Sequence, residues 1–138
     1  DAEWRPHRID GADHPVALFQ LASRTRSYLL DTQAIFRPGL PANTPMNGLE
    51  AAASAALAEL FQSPVLVKVG FSGLTDLQRL RASFPHVPAF GQVTAFLELQ
   101  TLARRLLPGA GRRHAGSLAK LCQQVLGGTL CKERRRPR

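Results

Sequence analysis

The sequence predicts an α/β domain, a mixed β-sheet flanked by helices, and three features carry that prediction. Two strand-like runs, VALFQLAS and RSYLLDT, lie close together near the start. A valine-rich apolar run, PVLVKVGF, occupies the middle, and helical patterns alternate with strand patterns from there on. Antiparallel pairing early and strand–helix alternation later belong to a sheet covered by helices.

The first element is DAEW. On a strand, the period of two places Asp1 and Glu3 on one face and Ala2 and Trp4 on the other. Two neighbouring carboxylates repel each other unless a cation sits between them. RIDGADHP follows as a polar, turn-rich stretch. Val16, Leu18 and Gln20 then alternate with Ala17, Phe19 and Leu21, and the short polar SRTR joins this run to RSYLLDT as a β-hairpin. Prolines 38, 41 and 45 with Gly39 break regular structure in FRPGLPANTPMN.

A helix is expected from Gly48 to Phe61. Asn47 and Glu50 have capping-box spacing, and Leu49, Ala53, Ala56, Leu57, Leu60 and Phe61 form one stripe. PVLVKVGF reads as a strand covered on both faces. In TDLQRLRASFP, Thr75 is the expected N-cap, Leu77, Leu80 and Phe84 share a face, and Pro85 ends the helix. VTAFLEL predicts a strand that runs into a helix containing Leu99, Leu102, Ala103 and Leu106. PGAGRRHAG is a basic connection, and SLAKLCQQVLGG is an amphipathic helix stopped by two glycines.

The 138 residues suit one domain, and 44% hydrophobic with 20% charged residues is a globular balance. No apolar run approaches the roughly 20 residues that cross a bilayer, and the acidic start does not resemble a signal peptide. The expectation is a soluble, intracellular protein, nuclear or cytoplasmic, with no membrane partner. Cys122 and Cys131 are too few for a zinc site. No serine or cysteine is paired with a histidine at an informative spacing, and GGTLCK and PGAGRR lack a phosphate-loop pattern.

The net charge of +8 is unevenly placed: from Arg104 onward there are ten basic residues and one acid, while the preceding part is nearly neutral. A basic end on a neutral body points to a polyanion, most simply a nucleic acid. For RRRPR alone a solubilising tail is an equal reading.

Asp76 is the other prominent acid. It falls in the first turn of the TDLQRL helix, where the helix dipole favours a carboxylate. Strand ends and strand-to-helix turns at one edge of an α/β sheet are where ligands bind. If Asp1, Glu3 and Asp76 converge there, their hard oxygens suit Mg²⁺ or Mn²⁺.

At this point the chain resembles the DEDD-type 3′–5′ exonuclease domains of the ribonuclease H-like fold, the group of RNase D, the Werner-syndrome exonuclease and the animal Mut-seven-type proteins. DAEW, HPVALFQLAS with RSYLLDT, VKVGFSGLTDLQRL and LAKLCQQVLGGTLCK carry the resemblance, in the family's order. It implies a two-metal site that hydrolyses RNA or DNA from a 3′ end. Asp1 would bridge two ions, Glu3 would hold one and orient the attacking water, and Asp76 would complete the second ion's shell. Gly70 and Gly73 would keep the backbone near Asp76 compact. Trp4 is a core aromatic or a wall beside the terminal nucleotide; Phe71 and Leu74 contact the terminal base or simply pack. Arg112, Arg113 and Lys132 are further candidates for contact with the nucleic acid.

The resemblance also implies a last motif, a tyrosine or histidine followed four residues later by an aspartate. This sequence has no tyrosine after Tyr28, and no acid follows His114 at that spacing. The expectation is therefore an incomplete exonuclease-like domain over 1–132 with a basic tail over 133–138, part of a longer parent protein. A second reading is a degenerate module that binds nucleic acid through Arg104, Arg105, Arg112, Arg113, Lys120 and the terminal arginines without cutting. A third is a protein-interaction scaffold presenting Leu57 and Phe61.

Overall fold

In the computed structural model of the chain, which describes residues 1–4, 14–107 and 117–130, the early alternation becomes a three-stranded antiparallel sheet. Its strands are β1 (Ala2–Trp4), β2 (Val16–Ala22) and β3 (Ser27–Asp31), in that spatial order. Phe19 stands opposite Ala2 on one side and Leu30 on the other, so apolar side chains meet across the sheet. Ser23 closes the hairpin by accepting from the Arg26 amide at 3.1 Å, while its own amide donates to the Arg26 carbonyl at 2.7 Å. A single turn, α1 (Thr32–Ile35), follows directly, with the Asp31 carboxylate accepting from the Ala34 amide.

Helix α2 (Gly48–Gln62) carries the expected capping box between Asn47 and Glu50. Its buried stripe differs from the apolar pattern. Leu57 and Phe61 are buried as expected, but Leu49 and Ala56 face solvent, and Glu50 and Ser54 turn inward instead. The cause is tertiary. Glu50 accepts from the Arg37 guanidinium through both carboxylate oxygens at 3.0 and 2.8 Å, from the Arg37 and Asn47 amides, and lies 3.1 Å from His86 Nε2.

Around that network Phe19, Phe36, Phe61, Phe84 and Phe90 form an aromatic core with Val16, Leu57, Leu80 and Val87. Adjacent ring centroids lie between 5.5 and 6.4 Å apart, within the range of favourable tilted and edge-to-face contacts. Helix α3 (Gly73–Ser83) ties into it: Ser83 Oγ accepts from the Val16 amide at 3.0 Å, and Thr32 Oγ1 donates to the Val16 carbonyl. A 3₁₀ turn, Pro88–Phe90, brings Ala89 and Phe90 into the core.

PVLVKVGF departs from expectation. Only Lys68–Gly70 forms a strand, β4, and it pairs with β5 (Phe96–Glu98) in a separate two-stranded sheet. Val65 is 84% exposed and Val67 64%. Because β4 joins no ladder of the larger sheet among the described residues, the run has one strand neighbour and its valines stay in solvent. The sheet is thus two sheets, within the mixed α/β class.

Two units are distinguished, Asp1–Leu97 and Glu98–Arg138. In the second, Glu98 caps α4 (Leu99–Leu106) by accepting from the Gln100 amide, and Arg104 donates to the Gln100 side chain. Ser117 caps α5 (Leu118–Leu126), which ends at Gly127 with φ +64°, as the glycine pair predicts. Cys122 is a free thiol on α5; Cys131 lies outside the described residues. Among the described residues no helix is long and apolar enough to cross a membrane.

Candidate active site

Asp1 and Glu3 stand on the strand face that alternation predicts: both are exposed, while Ala2 between them is buried. The ladder reaches Asp1, whose nitrogen donates to the Gln20 carbonyl at 3.0 Å and whose carbonyl accepts from the Gln20 amide at 2.7 Å. The register slips between Glu3 and Trp4, leaving Trp4 opposite Val16. Trp4 is half-buried against the core, with the Arg79 guanidinium 5.0 Å above its ring.

Asp76 is half-buried in the first turn of α3. Thr75 is not the N-cap, as sequence spacing suggested. The helix begins at Gly73 after Ser72, which adopts the left-handed region at φ 60° and makes no side-chain cap bond. Instead the Thr75 amide donates to the Ser72 carbonyl at 3.1 Å. The tight turn from β4 starts the helix three residues early, and Asp76 still lies near the positive end of the helix dipole. Phe71 and Leu74 flank this turn, half-buried and exposed respectively.

A cleft of about 1160 Å³ opens between β2, β3, α2, β4 and α3, all within the first unit. Asp1 and Asp76, distant in sequence, both line it. Its walls are mainly apolar, and Lys68 is the basic residue among them. Lys68 Nζ donates to the Ser63 carbonyl at 2.7 Å. Glu3, Trp4, Phe71 and Leu74 are not in the lining, although Glu3 shares Asp1's strand face. Arg112, Arg113, His114 and Lys132 lie outside the described residues. Among the described residues no three His, Cys, Asp or Glu side chains are grouped closely enough to hold a metal ion. The donor chemistry nevertheless fits Mg²⁺, which is commonly held by one or two carboxylates together with waters and substrate phosphates.

Tyr28, Lys68 and Phe96 are among the cleft residues that sequence reasoning missed. Tyr28 and Lys68 read locally as ordinary strand residues. Phe96 matters through a contact no spacing reveals. A methyl group on Gly70 would come within 2.7 Å of Phe96 Cζ, and one on Gly73 within 2.9 Å. The two glycines are compact because an aromatic ring lies against them.

A family model described as 3′–5′ exonuclease matches residues 1–137. The human exonuclease mut-7 homolog is 31% identical over 142 residues, which cover 96% of this chain and 15% of that protein. The crystal structure of the Aedes aegypti Nibbler EXO domain superposes with a TM-score of 0.66 at 23% identity, covering 96% of this chain and 60% of that one. An EXD2 exonuclease domain soaked in Mg and GMP gives 0.51 at 23% identity, covering 99% and 59%. These two structures share the fold, and the chain spans less than two thirds of the relatives it matches.

Proposed function

The chain belongs to the 3′–5′ exonuclease family, and we propose that its cleft receives the 3′ end of an RNA or DNA strand for metal-dependent hydrolysis. The observation that carries this reading is that Asp1 and Asp76, from a strand edge and a helix start, line one cleft. Asp1, Glu3 and Asp76 would hold Mg²⁺ or Mn²⁺, and an EXD2 exonuclease domain has been soaked with Mg. When bound, such ions stabilise phosphoryl charge and lower the pKa of a coordinated water.

The protein's own part is placement. Asp1 is held by its ladder to Gln20, and Asp76 stands in the first turn of the helix that follows β4, so two carboxylates from separate elements line the cleft. Glu3 would orient the attacking water. As the water oxygen bonds to phosphorus, the bond to the preceding nucleotide's 3′ oxygen breaks. A nucleoside 5′-monophosphate and a shortened strand with a 3′-hydroxyl result. Phe71 and Leu74, beside the turn, would meet the terminal base, and Arg112, Arg113 and Lys132 would neutralise backbone phosphates.

The test is shortening of 3′-overhang RNA and DNA by the chain in Mg²⁺ or Mn²⁺. Asp1→Ala and Asp76→Ala should each lower the rate by at least about 100-fold, the scale of losing a key electrostatic contact. Undiminished activity in both variants would refute the assignment. A second reading, binding without cutting, rests on the basic excess from Arg104 onward. Retention of the strand without shortening would select it.

A further inference from the structure

Phe96 lies against both Gly70, the last residue of β4, and Gly73, the first of α3. Gly73 and Asp76 are three apart on the helix and so share a face, and both line the cleft, as does Phe96. The ring therefore abuts the backbone one turn before the carboxylate.

The two residues before Phe96 are tied to neighbouring elements. The Lys68 amide donates to the Ala95 carbonyl at 2.9 Å, the Thr94 amide donates to the Phe61 carbonyl at 2.9 Å, and Thr94 Oγ1 donates to the Ser63 carbonyl at 3.0 Å. These bonds tie the segment to β4 and to the end of α2. Among the described residues, the only non-glycine residues with positive φ are Ser72, at 60°, and Ala95, at 48°. One immediately precedes Gly73 and the other immediately precedes Phe96. Left-handed backbone is unfavourable for residues with a Cβ, and it persists where surrounding structure over-determines it, often at functional sites.

We infer that Phe96 is a positioning residue: its ring, locked by the Thr94–Ala95 anchor, seats the Gly70–Gly73 turn and so sets where the Asp76 carboxylate enters the cleft. The inference rests on the reading of Asp76 as a metal ligand, and it goes beyond it by assigning that ligand's placement to a residue on another element. Removing the ring leaves the turn free to shift, while adding a methyl group at Gly73 forces ring and turn apart.

Mn²⁺ binding to the full chain, measured by electron paramagnetic resonance, tests this apart from catalysis, with circular dichroism and thermal unfolding recorded on each variant. Asp76→Ala should weaken binding strongly. Phe96→Leu, which keeps apolar volume but loses the ring edge, should weaken it about tenfold or more, the scale seen when a ligand's supporting contacts are lost. Gly73→Ala should weaken it likewise, and Gly73→Ala combined with Phe96→Leu should bind more tightly than Gly73→Ala alone. If Asp76→Ala weakens binding while Phe96→Leu binds as the parent does, even with a lowered unfolding temperature, Phe96 is packing only and the inference is overturned. Unchanged binding in Asp76→Ala would instead refute the ligand reading and remove the inference's premise.

Discussion

Glu50 shows how one side chain redirects the packing around it. Its carboxylate is fully buried, yet it accepts from Arg37 and Asn47 and lies beside His86, so its oxygens are well partnered. The Arg37 guanidinium, foremost among these partners, holds the carboxyl well below the usual carboxylate range; burial opposes this and loses. A folded-state pKa below the unfolded one contributes stability that is complete above the ordinary glutamate value, about 4.3, and is lost as pH falls below it. Acid unfolding of the parent chain should therefore begin as pH drops past that value. Glu50→Gln should flatten that dependence and cost about 1–3 kcal/mol at pH 7, the scale of hydrogen bonds to a charged group, because the half-exposed Arg37 can turn to solvent. Urea unfolding at pH 7 and pH 4 checks both. If Glu50→Gln matched the parent at pH 7, the network would be ornamental.

At the level of elements, α2 tests whether an apolar stripe faces the core or a partner. Leu57 is 6% and Phe61 2% exposed, and the Phe61 ring meets both Phe19 and Phe90. These residues belong to the core, which answers the scaffold reading for this pair. Phe61→Ala should cost about 3–5 kcal/mol in thermal or denaturant unfolding. A loss under about 1 kcal/mol would mean that the aromatic cluster does not hold α2. The β4 segment has the opposite character: a run of valines that reads as a buried strand is solvent-exposed, because apolar composition specifies a wish to be covered and not the neighbour that covers it.

For the whole molecule, charge separates the readings of function. The basic excess lies from Arg104 onward, whereas the cleft that holds Asp1 and Asp76 is mainly apolar with one lysine. If the basic residues grip the nucleic-acid backbone, affinity should fall with salt at a log–log slope of about −0.9 per neutralised phosphate on duplex DNA. The double variant Arg112→Ala with Arg113→Ala should reduce that slope by up to about 2, and titrations between low and moderate salt measure it. A slope unaltered by the double variant would remove both arginines from the interface.

The sequence by itself determined the α/β class, the hairpin, the capping box at Asn47, the glycine stop at Gly127, and the alternation that puts Asp1 and Glu3 on one strand face. Each of these is local, set by the period of two or by backbone preferences at a cap. Only the tertiary structure decided that Asp1 and Asp76 share a cleft and that Glu50 turns inward. It alone showed that α3 starts at Gly73 and that Phe96 presses on the glycines before Asp76. Those outcomes depend on which distant surfaces meet, and the free energy of such meetings is written in no single stretch of the chain.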